Sequence, residues 1–340
     1  MSPQTIHDHK SERREEQGVT KQLFAVIWRW HFYAGIIFAP WILLLAISGG
    51  VYIFKPQIEL MLYKDKYVVQ EGSAKLLPTR QIEKVKKRYP QAEITHFTPS
   101  FAANRSSEVG ISLHGQSSIV FVNPYNGNIL GKLNDEDRWM EKIKALHNGE
   151  LWGATAGNRL IELTACWAFI LVITGLYLWW PRHRKPWQGT IIPRLKQGKR
   201  TFWRDLHAVP AFWLSAFILL LIFTGLPWSG VWGDLVNRAA TATHTGQPPF
   251  AAVWGPKPES TVPTKDVATD IPWAAENLPV PESTPDTLQP VSVEKMMAIA
   301  DSRNIQQPYS IYFPEGLKGV YTVSSSPQQP EDDATLHIDQ

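Results

Sequence analysis

Long apolar segments without charged residues dominate the hydrophobic pattern of this chain. They cover about residues 31–54, 160–180 and 207–229, and the second carries one charge, Glu162, at its edge. A helix needs about 20 consecutive apolar residues to cross the hydrocarbon core of a bilayer. The pattern therefore predicts three membrane-spanning helices. The first is too long for a signal-peptide core and no small-residue cleavage site follows it, so we expect it to be retained.

Between the first two apolar segments, shorter periodic runs predict a small α+β domain. Thr79 precedes an amphipathic stretch that Pro90 ends, which is typical of a helix. Three strand-like runs follow, with a strong turn sequence at 123–127 before the last of them. The runs are 108–113, 118–122 and 128–133.

The same pattern returns near the end of the sequence. Pro290 leads into 293–295 as Pro78 leads into 82–84, and strand-like runs follow. These runs are 309–313, 320–324 and 335–339, and the last corresponds to 119–123. The repeat predicts a parent architecture of two similar halves with four spans, of which this chain lacks the last span and completes the second domain only in part. A protein with three spans by nature is the alternative.

We therefore predict an α-helical membrane protein with small α+β extracytoplasmic domains. The predicted segments are a cytoplasmic tail (1–22), a first transmembrane helix (23–54), an α+β domain (55–146), a second transmembrane helix (147–180), a basic cytoplasmic loop (181–205), a third transmembrane helix (206–230), a Pro-rich linker (231–290) and an incomplete second α+β domain (291–340).

The charge distribution predicts the orientation of the spans. Eight Lys/Arg and no acidic residue lie between Arg182 and Arg204, whereas six Lys/Arg and fourteen Asp/Glu follow residue 230. The positive-inside rule places the basic loop and the N-terminus in the cytoplasm, and the α+β domains outside. The position of the loop between two spans favours membrane lipid over nucleic acid as the partner of its charges. A single cysteine, Cys166, excludes an intrachain disulfide and a cysteine-rich metal site.

Two histidines open membrane segments in the same register. His31 and His207 each stand 17 residues before a hydroxyl–glycine pair, Ser48-Gly49 or Thr224-Gly225. Because both helices run outward, both imidazoles belong near the cytoplasmic face, where they can supply the two axial ligands of one haem iron. An interfacial histidine in an aromatic belt is the alternative.

A third histidine, His147, opens a segment that runs inward, so we expect it near the outer face. In a parent with a fourth span it would ligate a second haem, and two haems would carry electrons across the membrane. Arg29 and Arg204 precede the inner histidines and are candidates to bind the haem propionates. Their alternative role is to set topology while snorkelling to lipid headgroups.

Several motifs together resemble the PepSY-associated transmembrane family over most of 25–235, and more weakly over 290–340. The matching stretches are Trp30-His31-Phe32-Tyr33-Ala34-Gly35, Ile47-Ser48-Gly49-Gly50, Val122-Asn123-Pro124-Tyr125-Asn126-Gly127, Leu146-His147-Asn148-Gly149-Glu150-Leu151-Trp152-Gly153, Thr174-Gly175-Leu176 and Asp205-Leu206-His207. The resemblance implies four spans, two PepSY-like outer domains and, in some members, an inner-membrane ferric-siderophore reductase carrying haem b.

The leading hypothesis is therefore an electron-transfer protein of the bacterial inner membrane, with one or two haems b, that reduces ferric siderophores outside. It needs a separate electron donor, a quinol or a flavin reductase, because the sequence has no dinucleotide-binding glycine fingerprint. A cofactor-free, membrane-anchored PepSY binding or regulatory protein is the alternative. A siderophore transporter is disfavoured because the spans contain no acid pair for ion coupling.

Overall fold

The computed structural model describes residues 3–181, 189–243, 262–268, 271, 278–283, 291–314, 319–325 and 334–339. The chain divides into two compact units, a helical unit (1–53 and 143–239) and a sheet unit (54–142 and 240–340). Most of the predicted Pro-rich linker, 231–290, lies outside the described residues.

The described helices and strands follow one another in this order. The helices are α1 Pro3–Tyr52, α2 Lys55–Leu62, α3 Lys64–Tyr67, α4 Pro78–Arg88, α5 Trp139–Asn148, α6 Ala154–Trp179, α7 Gly198–Gly225, α8 Gly230–Thr243, α9 Thr264–Val267 and α10 Val293–Ser302. The strands are β1 Glu93–Thr98, β2 Ser107–Leu113, β3 Gln116–Val122, β4 Ile129–Asn134, β5 Tyr309–Tyr312, β6 Tyr321–Ser325 and β7 Thr335–Ile338.

Among the described residues, three helices are long and apolar enough to cross a membrane, as the hydrophobic pattern predicted. They span Thr20–Tyr52, Thr155–Trp179 and Gly198–Trp228. In the helical unit α6 packs against both α1 and α7. α1 and α6 run antiparallel, because the start of the α1 span contacts the end of α6 and the end of α1 contacts the residues just before α6.

Several predicted boundaries of the helical unit differ from the structure. Helix α7 begins at Gly198, within the predicted basic loop, and α8 covers Gly230–Thr243, where we predicted the start of the linker. Helix α1 already begins at Pro3, whereas we expected a loose tail over 1–22. The tail is rich in Glu, Lys, Arg and Gln, which are good helix formers and extend the membrane helix backwards. The second membrane helix begins at Ala154 rather than at 147, because Gly149 and Gly153 take positive φ angles and end the helical path.

Glu162, near the start of the second membrane helix, has structural partners besides its neighbour Arg159. Its carboxylate accepts hydrogen bonds from the backbone N–H groups of Val231 (3.0 Å) and Trp232 (2.7 Å), at the start of α8. Asn158, one turn earlier on α6, accepts from the N–H of Gly230. A negative charge at a helix N-terminus accepts hydrogen bonds from backbone N–H groups that have no partner within the helix, and it interacts favourably with the positive end of the helix dipole. These bonds tie α8 to α6.

The described residues of the sheet unit form a seven-stranded antiparallel sheet that both sequence repeats build. Its strand order is β4-β3-β2-β1-β5-β6-β7, and β1 pairs with β5 where the repeats meet. Helix α4 precedes β1 as α10 precedes β5, so β7 takes the place in the second repeat that β3 takes in the first. That order matches the proposed correspondence of 335–339 with 119–123. The two α+β domains that we predicted as separate therefore share one sheet.

The strand at the centre of the sheet, β1, was missing from the prediction. Apolar and polar residues do not alternate regularly along its sequence, 93–98. The structure accommodates this pattern with a register shift between Ile94 and His96. A bulge of this kind adds one residue to a strand, so that apolar residues three positions apart reach the same face. Ile94 and Phe97 both belong to the main core in this way.

The main core lies between α4, α10 and one face of the sheet. Residues of both repeats fill it, among them the fully buried Val85, Phe97, Met296, Ile311 and Val323. Across the helices, the N–H and hydroxyl of Thr79 donate to the Glu294 carboxylate at 2.9 and 2.7 Å, so α10 caps the N-terminus of α4. The two repeats thus share one hydrophobic core.

The opposite face of the sheet carries a buried charged cluster. One nitrogen of Arg138 donates to both oxygens of Glu59, at 2.8 Å each. Glu108, on strand β2, belongs to the same cluster. Burial raises its pKa to about 7, although the positive charges of Arg138 and Arg105 oppose the shift. Desolvation also raises the pKa of Tyr67, whose ring packs edge-on to Phe121. At neutral pH Glu108 is therefore poised between its charged and neutral forms.

Candidate functional site

The helical unit brings together the two histidines that stand at the start of the charge-free membrane segments. His31 on α1 and His207 on α7 have ring centroids 6.4 Å apart, with their planes inclined at 64°. The two residues are 176 positions apart in the sequence, so only the packing of the helices places them side by side. The sequence predicted this pairing from the shared register and the shared direction of the two helices.

His31 is also held by the far end of α6. Its Nδ1 lies 2.9 Å from Oγ1 of Thr174. The next residue, Gly175, leaves room for the imidazole, because a Cβ there would lie 3.1 Å from Cε1 of His31. Bonding at Nδ1 leaves Nε2 as the ring nitrogen available to a ligand.

His147 has a matching environment at the other end of the α1–α6 pair. It lies in the last turn of α5, and its Nδ1 is 2.9 Å from Oγ of Ser48 on α1. A Cβ on Gly49 would again lie 3.1 Å from the Cε1 of the imidazole. Ser48 is 17 residues after His31, roughly 26 Å along an α-helix. His31 and His147 therefore stand at opposite ends of the helix pair.

Within the described part of the chain, no second imidazole contacts His147. In the part of the chain that is described, the ring contact between two histidines is that of His31 with His207. The same part of the chain holds no group of three or more His, Cys, Asp or Glu side chains arranged to bind a bare metal ion.

The two arginines predicted near the inner histidines differ in their surroundings. Arg29 is exposed on α1. Arg204 is paired with the buried Asp205, to which it donates from Nε (3.0 Å) and a terminal nitrogen (2.7 Å). Arg194 also donates to Asp205, from Nε at 2.8 Å. Arg204 thus has a carboxylate partner of the chain itself, which competes with its predicted role toward a haem propionate.

The separation of His31 and His207 suits two ligands of one iron. An iron bound on each face by an imidazole nitrogen at about 2 Å, as nitrogen ligands bind other first-row metals, would place the ring centroids about 6 Å apart. The observed 6.4 Å meets this requirement. The hydrogen bond at Nδ1 of His31 is also consistent with metal binding, because a metal-bound histidine normally hydrogen-bonds through its other ring nitrogen.

Sequence reasoning missed the role of the hydroxyl–glycine pairs. The register placed Ser48-Gly49 17 residues after His31, on the same helix, and the pair was used only to measure depth. In the structure Ser48-Gly49 holds His147 and Thr174-Gly175 holds His31, in each case the histidine of a different helix, whereas Thr224-Gly225 contacts no histidine of the described residues. The signal was present in the sequence as a Ser/Thr-Gly dipeptide near the end of each span, but one sequence does not show which imidazole each pair meets.

Comparison with known proteins assigns the chain to a family. No curated protein matches it. A family model described as the PepSY-associated TM region matches residues 28–334, which include most of the first membrane helix, the other two membrane helices, the three candidate ligand histidines and most of the described sheet. This protein therefore belongs to the family that the PepSY-associated TM region defines.

Proposed function

We propose that this protein transfers electrons across the bacterial inner membrane and reduces ferric siderophores on the periplasmic side. The observation that carries the proposal is the pair His31 and His207, whose ring centroids lie 6.4 Å apart on two membrane helices. Haem b, when bound, supplies a one-electron couple. His31 and His207 would hold it, and Arg29 is the better candidate for its propionates because Arg204 is engaged with Asp205.

The orientation of the membrane helices follows from charge. The basic segment 181–205 lies between α6 and α7, and the positive-inside rule puts it in the cytoplasm. His31 and His207 would then lie near the cytoplasmic face and His147 near the periplasmic face. This arrangement suits a path that accepts electrons from a quinol or a flavin reductase at one side and delivers them at the other.

The family resemblance and the chemistry of iron support a ferric siderophore as the substrate. A siderophore binds Fe(III) through hard oxygen donors, and one electron converts Fe(III) to Fe(II), whose lower charge weakens those bonds. The electron comes from the donor through the protein, and the chelate keeps its own atoms. Reduction therefore releases iron without breaking a covalent bond of the siderophore.

The primary test measures haem in the full chain. Purified protein, expressed with haem supplied, should show an oxidised-minus-reduced spectrum of a bis-histidine haem b. His31→Ala and His207→Ala should each abolish that spectrum, whereas His114→Asn, at an exposed position of the sheet unit, should retain it. Mixing the reduced protein with a ferric hydroxamate chelate should reoxidise it.

Two outcomes would overturn the proposal. Unchanged haem content in both histidine variants would remove His31 and His207 as ligands. Absence of haem from the unmodified protein would instead favour the cofactor-free, membrane-anchored binding or regulatory protein.

A further inference from the structure

Three hydroxyl–glycine pairs lie near the ends of the three membrane helices, and their hydroxyls make the same local bond. Each donates its proton to the backbone carbonyl four residues earlier in its helix. The distances are 2.7 Å for Ser48 to Leu44, 2.8 Å for Thr174 to Ile170 and 2.9 Å for Thr224 to Leu220. Such backward bonds are common for Ser and Thr in helices.

This local bond decides the role of the oxygen toward the imidazole. A hydroxyl has one proton, so a hydroxyl that donates to a carbonyl can only accept from a second partner. With its proton on the carbonyl, Oγ1 of Thr174 would accept from Nδ1 of His31, and Oγ of Ser48 would accept from Nδ1 of His147, both at 2.9 Å. A neutral imidazole with its proton on Nδ1 carries its lone pair on Nε2.

The adjacent glycines show that the two imidazoles have the same kind of contact with the neighbouring helix. A Cβ on Gly49 and a Cβ on Gly175 would each lie 3.1 Å from the Cε1 of the imidazole. Gly225, in the third pair, would meet nothing within 4 Å. Among the described residues no imidazole bonds to Thr224, so α7 carries the same dipeptide without a histidine ring beside it.

We propose that Thr174 and Ser48 are positioning residues, which fix His31 and His147 as Nδ1–H tautomers and leave Nε2 unprotonated for a metal. The identity of that metal group, haem iron, rests on the proposed function, whereas the tautomer does not. By accepting from Nδ1–H, the hydroxyl also makes the imidazole a more basic ligand, which stabilises Fe(III) over Fe(II). Thr174 and Ser48 would thus lower the midpoint potential of a haem bound at each histidine.

The first experiment needs no haem. Full-length haem-free protein, labelled with ¹⁵N in histidine and placed in lipid bilayers, reports each tautomer by solid-state NMR. His31→Gln and His147→Gln assign the two signals. We expect Nδ1–H for both residues, a mixture with Nε2–H for His31 in Thr174→Val, and recovery of Nδ1–H in Thr174→Ser. Ser48→Ala should change the His147 signal alone.

Thr224→Val is the matched control, because it removes the same hydroxyl and the same backward bond from α7. It should leave both histidine signals unchanged. An Nε2–H tautomer of His31 in the unmodified protein, or an unchanged tautomer in Thr174→Val, would overturn the inference.

The second experiment separates this inference from the proposed function. In protein that binds haem, Thr174→Val should raise the midpoint potential of the haem at His31 and weaken its binding by about tenfold or more, and Thr174→Ser should restore both. If no variant binds haem but the tautomers behave as expected, the proposed function fails and the positioning role stands. If haem binds to His31, and Thr174→Val changes neither the midpoint potential of that haem nor the tautomer of His31, the positioning role fails and the proposed function stands.

Discussion

At the scale of single residues, the membrane helices depend on glycine where an imidazole approaches the backbone. Gly49 and Gly175 face His147 and His31 at the distance where an added methyl group would force the ring to move. Gly225 has the same neighbour in sequence, a hydroxyl residue, but open space beside it. The three positions therefore separate the effect of glycine on helix propensity from its effect on the imidazole.

Alanine substitutions at these glycines test the difference. Gly225→Ala should be neutral or stabilise α7 by up to about 1 kcal/mol, since alanine favours a helix over glycine. Gly175→Ala and Gly49→Ala should lose that gain and displace the ring, which weakens any metal ligation by about tenfold or more. Thermal unfolding in detergent and haem titration by absorbance measure the two effects. Equal behaviour of all three variants would show that the imidazoles do not need the glycines.

At the scale of elements, the charged face of the sheet unit predicts a pH dependence of stability. Burial raises the pKa of Glu108 to about 7, and the charged groups around it are Arg138, Arg105, Glu59 and Lys55. A carboxyl whose folded pKa lies above its unfolded value stabilises the fold fully only below the unfolded pKa. Its contribution is therefore lost as pH rises from about 4.5 to about 7.

Glu108→Gln should remove this dependence. The amide stays neutral at every pH, so the variant should gain stability over the unmodified protein at pH 8, on the order of 1 to 3 kcal/mol, and little at pH 4. The thermal midpoint of the full chain at the two pH values measures the gain. Glu83→Gln, on the exposed face of α4, is the control and should give no difference between them. A gain at pH 4 that equals the gain at pH 8 would contradict the prediction.

At the scale of the whole molecule, the sheet unit joins the two sequence repeats into one folding unit. β1 of the first repeat pairs with β5 of the second, and α4 and α10 pack over one core. Damage to the second repeat should therefore loosen the first. Independent domains would instead confine the damage to the repeat that carries it.

Val323→Ala tests this coupling, because Val323 is fully buried on β6 of the second repeat. We expect a loss of about 1 to 3 kcal/mol and faster hydrogen exchange of amides in β2 and β3 as well as in β5 and β6. Arg303→Ala, an exposed change after α10, should alter neither set. Faster exchange limited to β5–β7 would mean that the repeats open separately.

The sequence by itself determined the features that depend on local pattern. Charge-free stretches long enough for a bilayer identified the three membrane helices. Strand-like runs located β2, β3 and the strands of the second repeat, and the turn at 123–127 located β4 as the return strand. The helix periodicity that Pro90 ends located α4. The shared register of His31 and His207 also predicted their pairing, because residues at the same depth on parallel helices can meet.

Only the tertiary structure decided which distant groups meet. The bulge in β1 hid the strand that joins the repeats, since a bulge breaks the alternation by which a strand is recognised. The partners of the hydroxyl–glycine pairs depend on how α1 and α6 pack, and helix periodicity does not specify a neighbour. Ser48 therefore marked a depth in the sequence, whereas in the structure it holds His147, because antiparallel packing brings the end of one helix to the start of the next.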